Sequence, residues 1–435
     1  MKTETVDYSV TQKIPVTIKA DVIVVGGGPG GLGAAVAAAR SGADTVLVER
    51  YGALGGMAFG GEIFPFMYNH LDGKTLDKPV YSDWVNAMQK YHPDYTGQPD
   101  TDVERIYTKF SKEEAMLAAE DLCLAAGVRL VYHHHLFDVV KKDGKITTAI
   151  LFSKSGLTAA QAEVFIDCTG DGDLAVQAGC EYAYGNENGF CQPMTLCFKL
   201  SGVEVDRMPS RAEINALYDR AKEGGEIQCP RENVLLFATP QKDIIHFNTT
   251  RIIKKSAVDG IELSDAEIEG RRQARQFFVF LKNHVPGFEN SKIHSIASHI
   301  GVRESRRILG IQFIGEEAFI QAKKFPDGIA KVTYSIDIHN PNGSGTVLRR
   351  MAENDWYEIP YGCIVPKGVS NLLIGGRPIS VDHALHSSMR VMPPACSIGQ
   401  AAGVAAALAV ERHVSPRELN GTEVREKLKK MGAVL

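Results

Sequence analysis

Uninterrupted apolar, largely β-branched runs alternate with stretches of alanine and glycine along this chain, and that alternation predicts buried parallel strands joined by helices. Residues 21–25, DVIVV, have no polar face beyond Asp21, as a strand covered on both sides requires. Residues 34–42, AAVAAARSG, form helix readily and stop at Gly42, and TVLVE, 45–49, is a second buried strand. The same kind of run recurs in VFIDC, 164–168, and in NLLIGG, 371–376. Between them, EEAMLAAEDLCLAAGVRLV, 113–131, predicts a helix running into a strand. Turns at Lys142-Asp143-Gly144 and Ser153-Lys154-Ser155-Gly156 then predict a hairpin meander.

From about residue 188 to 356 the pattern changes. Strand-like runs (MTLCFKLSGV, DIIHFNTTRI, KVTYSIDIH) alternate with one long helical stretch, ELSDAEIEGRRQARQFFVFLKNH. The expected architecture is α/β: a Rossmann-type dinucleotide-binding domain in two parts, 1–187 and 357–435, with a discontinuous insertion, 188–356, forming a mixed α/β substrate domain. Residues 66–105, rich in His, Asp, Pro and Tyr, read as a loop or lid. No internal repeat or low-complexity tract suggests a solenoid or a disordered arm.

Charge narrows the choice of partner. With 48 basic and 52 acidic residues the net charge is -4, so no nucleic-acid or membrane-surface partner is expected. A composition like this is compatible with a homo-oligomer. The eight cysteines form no CxxC pair and have no histidine at zinc spacing, so no metal site is expected, and scattered cysteines suit a reducing, cytoplasmic location. The run His133-His134-His135 has no cysteine or carboxylate at ligand spacing either, and Cys396 reads as a packing residue. The N-terminal MKTETVDYSVTQKIPVTIKA lacks a signal-peptide pattern. The apolar stretch 392–410 is broken by Pro393, Pro394 and Gln400, so no membrane span is expected.

Candidate chemistry begins after DVIVV. Gly26, Gly28 and Gly31, with Pro29 and Gly30 between them, stand in GxGxxG spacing, and Glu49 ends the second strand where an acid meets ribose hydroxyls. Glu49 would repel a 2′-phosphate, which argues against NADP; FAD and NAD fit this fingerprint alike. Three later segments bear on that choice. Arg50 to Gly61 (RYGALGGMAFGG) leaves room for a bulky ligand, with Gly55 and Gly56 placed for a ribityl or pyrophosphate group and Met57 for a ring. Thr169 and Gly170 lie at the carboxyl end of VFIDC, and Asp173 opens the next helix. Gly376 and Arg377 end the strand NLLIGG. Arg390, Val391 and Met392 open a small-residue helix whose positive end suits a flavin edge gaining negative charge.

On DVIVVGGGPGG, LGGM, DCTGDGDLA, GVRESRRILG, YEIPYGCIVP and NLLIGGRPIS through RVMPPACSIGQAAGVAAALA, the chain resembles the FAD-dependent oxidoreductase family related to the flavoprotein subunits of succinate dehydrogenase and fumarate reductase. The likeness extends over most of residues 14–410. It implies FAD as cofactor, two interleaved domains and a substrate site over the flavin ring, but no one substrate, because members do different chemistry. Succinate dehydrogenase-like proteins often attach FAD to a histidine just upstream of a glycine-rich loop. RYGALGGMAFGG has none before it or within it, so the flavin is expected to be non-covalent.

Two residues are expected to be catalytic. In fumarate reductase-like proteins an arginine five residues before the flavin-contacting turn binds substrate carboxylate. With Val391 at that turn, the matching residue is His386, which is suited to moving a proton. Arg303, one turn from Arg306 and Arg307 if 301–310 is helical, is given a cofactor- or substrate-side role by the resemblance; by residue type it fits a solvated helix face paired through Glu304 equally well. The expected activity is hydride exchange between FAD and a small organic substrate. The rivals are an FAD-containing non-redox enzyme, a subunit of a larger redox complex, or a nucleotide-binding regulatory module. The large insert argues against a bare sensor.

Overall fold

The computed structural model describes residues 6–7, 11–92 and 110–435; the N-terminal reading and the end of the 66–105 segment fall partly outside them. Strand β1 (Val16–Val25), helix α1 (Pro29–Arg40) and strand β2 (Thr45–Val48) follow one another as the apolar runs predict. The main sheet has seven strands. Its path is Arg129–Val131, β2, β1, Gly156–Asp167, Lys145–Ser153 and His135–Lys142, and Leu372–Ile374 also pairs with Gly156–Asp167. Val25 stands opposite both Val48 and Asp167 in parallel register, and Val48 opposite Val131. Ile374 pairs in parallel with Asp167, while the meander strands are antiparallel. Five parallel strands therefore end along one edge, and in open α/β sheets ligands bind outside that edge.

Behind the sheet α1 packs on the long helix Met392–Arg412, and both are buried along most of their length. Their backbones touch: a Cβ on Gly399 would overlap the Gly30 carbonyl, and one on Gly33 would overlap the carbonyl of Cys396. Among the described residues Met392–Arg412 is the one helix long and apolar enough to cross a membrane, and 89% of its apolar window is buried inside the protein. Its composition reflects a core position.

The insert builds a second sheet, antiparallel, in the order Leu236–Ala238, Ile245–Phe247, Phe198–Ser201, Lys292–Ile296. Helix Gly260–His284 contributes to its separate aromatic core, which holds Phe198, Tyr218, Phe247, Phe277, Phe280 and Phe288. Ile308, Ile329, Val332 and Ile336, later in the span 188–356, pack instead in the large core of the main sheet.

Two local expectations are corrected. The described part of 66–105 is not bare loop: Val80–Met88 is a helix, and the Trp84 indole donates to the Ala115 carbonyl at 2.9 Å. Its apolar positions 80, 81, 84, 85 and 88 are at helical spacing. Nor is 301–310 helical. Arg306–Ile308 pairs as a strand with Tyr182–Tyr184, and Arg303 lies in the loop before it. Tertiary pairing with a distant strand overrode local charge spacing there.

Candidate functional site

A cavity of about 920 Å³ opens along the carboxyl edge of the sheet and runs under the insert. Its floor follows from the strand ends. After Val25 the chain turns through Gly26 at φ +102°, a conformation L side chains rarely adopt, and a Cβ there would overlap the Cys168 carbonyl. Gly28 is different. A Cβ on it would meet only the Gly56 Cα, at 3.8 Å, and would take up cavity space. Gly30 is pressed against Gly376. Apart from the Pro29 ring the floor is thus free of side chains at the N-terminus of α1, where first-turn amides have no helical partner; a pyrophosphate fits there.

Glu49, 5% exposed, sits on the wall at the end of β2. Its Oε2 accepts from the Gly27 amide at 2.6 Å and its Oε1 from the Tyr51 amide at 2.8 Å. Each oxygen keeps a lone pair for a ribose hydroxyl. At the end of Gly156–Asp167, the buried Asp167 accepts from the amide and hydroxyl of Thr169 and from the Ala175 amide, which shapes the next turn. Burial nevertheless pushes its carboxyl up to about 6. Arg377 braces that turn, with Nη2 on Asp171 Oδ1 at 2.7 Å and Nε on the Gly170 carbonyl at 2.8 Å.

Of the residues expected to contact cofactor, Gly26, Gly28, Pro29, Gly30, Glu49, Arg50, Gly56, Met57, Thr169, Gly170, Asp173, Gly376, Arg377, Arg390, Val391 and Met392 line this cavity. Gly31 and Gly55 sit behind it. A Cβ on Gly31 would overlap the Gly26 carbonyl, and the Gly55 amide donates to the Gly27 carbonyl at 2.8 Å. His134 and His135 reach the wall, but His133 has φ +58° and only His135 opens a strand. No group of three His, Cys, Asp or Glu among the described residues could hold a metal.

The two expected catalytic residues separate. Arg303 lines the cavity, with Nη1 on the Pro193 carbonyl at 2.6 Å. Burial, then the neighbouring Arg390 and Arg231, bring its guanidinium down to about 9. His386 does not reach the wall: it is fully buried inside the short helix His383–Met389, and neither ring nitrogen has a hydrogen-bond partner. Burial, followed by Arg307, Arg377 and Arg390, holds it neutral, well below an ordinary histidine. Helical spacing turns His386 inward, and Arg390, one turn later, reaches the cavity instead.

Residue patterns did not single out the insert's contribution: Arg231, Asn233, Tyr334, Asp337 and His339 all line the cavity. Tyr334 donates to Asp337 Oδ2 at 3.2 Å. Burial opposes ionisation of Asp337, yet the Arg390 and Arg303 guanidiniums hold its carboxyl well below the usual range. Burial and then Arg303 bring His339 down to about 3, so it is neutral near pH 7 and its 3.6 Å approach to Asp337 is no ion pair. Burial, then Asp337, raise the Tyr334 hydroxyl, which keeps its proton. The period-two run SIDIH was a signal for Asp337 and His339. Nothing local marked Arg231.

A glycine floor at the carboxyl edge of a parallel sheet, an acid ending its second strand and a roof from an inserted unit define a Rossmann-type dinucleotide-binding protein with an enclosed site. Residues 21–428 match the FAD dependent oxidoreductase family, and the chain belongs to it. Its cofactor is FAD, which the bare floor at Gly28 and Gly56 and the Glu49 carboxylate fit. Against curated proteins, the chain is 37% identical over 89 residues to a dihydrolipoyl dehydrogenase of Vibrio parahaemolyticus, covering 20% of this chain and 17% of that one. It is 29% identical over 197 residues to a digeranylgeranylglycerophospholipid reductase of Thermoplasma volcanium, covering 43% and 48%. The chain thus spans from under a fifth to about half the length of these relatives. A solved geranylgeranyl bacteriochlorophyll reductase-like protein of Thermoplasma acidophilum superposes with a TM-score of 0.47 at 15% identity, over 95% of this chain and 83% of that one.

Proposed function

We propose that this protein is an FAD-dependent oxidoreductase that exchanges hydride with a small organic substrate held between the flavin ring and the insert. The observation carrying this reading is the continuity of one cavity, from Glu49 and the glycine floor to Tyr334, Asp337, Arg303 and Arg390 beneath the insert. FAD, when bound, supplies the hydride chemistry. Gly26 to Gly30 and Glu49 hold the dinucleotide half. Val391 and Met392, at the N-terminus of the long helix, set its positive end beside the ring. The insert excludes water, and Tyr334 handles the proton in place of His386. The reading includes the finer relation to succinate dehydrogenase and fumarate reductase flavoproteins, which the motifs DVIVVGGGPGG, DCTGDGDLA and RVMPPACSIGQAAGVAAALA support. A reducing, cytoplasmic setting is supported by eight cysteines that are all free and buried.

The test is spectral. Purified protein should be yellow, should bleach on anaerobic photoreduction, and should bleach with one member of a panel of small acids, alcohols and amines. Flavin that photoreduces yet is neither reduced nor reoxidised by any small organic compound would favour an electron-transfer subunit instead.

A further inference from the structure

Under the insert, positive charge outnumbers negative. Arg231, Arg251, Arg303 and Arg390 are gathered around two carboxylates, Glu232 and Asp337. Arg251 takes Glu232, at 3.1 Å, and directs its two Nη groups also at the Gly343 and Gly345 carbonyls, Thr346 and His339, with only its Nε left without a partner. Among the described residues that leaves Asp337, and for Arg231 also the Glu232 it shares with Arg251, to offset Arg231, Arg303 and Arg390. Arg231 is 4% exposed; its Nη1 has no partner and its Nε only a 3.4 Å contact to Asn233. The Arg390 Nε has no partner, and its Nη2 contacts, to Gln192 and the Asp337 carbonyl, are 3.4 and 3.5 Å long. Buried guanidinium donors without acceptors are strongly unfavourable, and a bound anion relieves that. The FAD phosphates do not serve, since they belong at the N-terminus of α1.

The adjoining wall is apolar. The segment leading away from Arg231 places Asn233, Leu235 and Phe237 on the cavity, while Val234 is turned into the core. Leu348 is the register partner of Asp337 across the Ile336–His339 hairpin and also lines the cavity, so the apolar surface begins beside the cationic end.

We propose that the substrate is an amphiphilic carboxylate, its anionic head held by Arg231, Arg303 and Arg390 and its apolar body lying on Leu235, Phe237 and Leu348. A planar carboxylate matches the paired donors of a guanidinium. A compact dicarboxylate would put its second charge against the apolar side chains of Leu235 and Phe237. This inference rests on the cavity being the substrate site of a flavin oxidoreductase.

The experiment is calorimetric titration of the FAD-loaded protein with octanoate, phenylacetate, octanamide and succinate, following the flavin spectrum in parallel. Octanoate or phenylacetate should bind, with octanamide and succinate weaker by about tenfold or more. Arg231→Gln should weaken the carboxylate about tenfold and leave octanamide unchanged. If that variant loses FAD, Leu235→Asp tests the apolar half and should abolish octanoate binding. Equal affinity for octanoate and octanamide, succinate preferred over both carboxylates, or no carboxylate bound would each overturn the proposal. So would an unchanged octanoate affinity in an FAD-replete variant. FAD content and photoreduction of the same samples report separately on the oxidoreductase reading.

Discussion

Both oxygens of the Glu49 carboxylate accept backbone hydrogen bonds, from Gly27 and Tyr51, before any ribose is counted. Glu49→Gln turns an amide N–H toward one of those donors and removes the charge from the ribose contact. FAD affinity should fall by about 2–4 kcal/mol, measured by titrating apoprotein with FAD. Unchanged affinity would mean Glu49 is not the ribose ligand. Asp77 gives a second residue-level prediction. It is buried, receives the Ser397 hydroxyl at 2.6 Å and the Asn69 amide at 2.9 Å, and burial pushes its carboxyl from 3.8 up to about 7. The folded state then binds this proton more tightly than the unfolded one. The stability it contributes is present at low pH and lost as pH rises between about 4 and 7. Asp77→Asn should therefore gain on wild type in thermal melts between pH 5 and 8, by at most about 3 kcal/mol. Parallel melting curves across that range would show that Asp77 does not titrate there.

At the scale of elements, the contact of α1 with Met392–Arg412 decides where both helix N-termini lie. Gly399→Val would set a branched side chain against the Gly30 carbonyl and separate the helices, moving Gly30 away from Gly376. We expect a loss of about 1–3 kcal/mol together with a lower flavin-to-protein ratio. A destabilised variant that keeps full flavin content would show that the helix pair supports the fold without shaping the cofactor floor. The strands and helices of this half were legible because each is an unbroken run of one kind: β2 is buried at all four positions, and α1 consists mostly of alanine and glycine. Val80–Met88 was missed although its apolar stripe is regular, because His, Asp and Pro crowd the surrounding chain. The 301–310 segment failed for another reason. Its arginines suit a helix face locally, and only the distant Tyr182–Tyr184 strand makes Arg306–Ile308 extended.

For the whole molecule, a ligand that binds only the native state stabilises it by mass action. Adding FAD to apoprotein should raise the melting temperature with concentration, by roughly 2.7 kcal/mol of stability at a hundredfold excess over Kd, while NAD at the same concentration should not. Acid precipitation of the holoprotein should release all the flavin. Yellow colour retained in the pellet would overturn non-covalent attachment, and equal stabilisation by NAD would overturn the cofactor assignment.

The sequence alone determined the glycine-floored end of the cavity, since its lining comes from backbone and from residues adjacent to strand ends. A strand, a glycine turn and a terminal acid need no distant partner to be placed, so Gly26, Gly28, Glu49 and Thr169 fall on the cavity where their spacing puts them. Only the tertiary structure decided the far end of the cavity, where it added Arg231 and Asp337 to the Arg303 and Arg390 that the sequence had named. Arg231, Arg303, Asp337 and Arg390 lie far apart in the chain and converge through the packing of the insert on the main sheet. Whether His386 or Arg390 faces the cavity depended on the rotation of one short helix, His383–Met389, set by its Asp382 cap and by Ser387 and Ser388, whose hydroxyls bond the backbone of Asp337 and Tyr334. A residue pattern carries the period of its own element, and the direction that element faces comes from what packs against it.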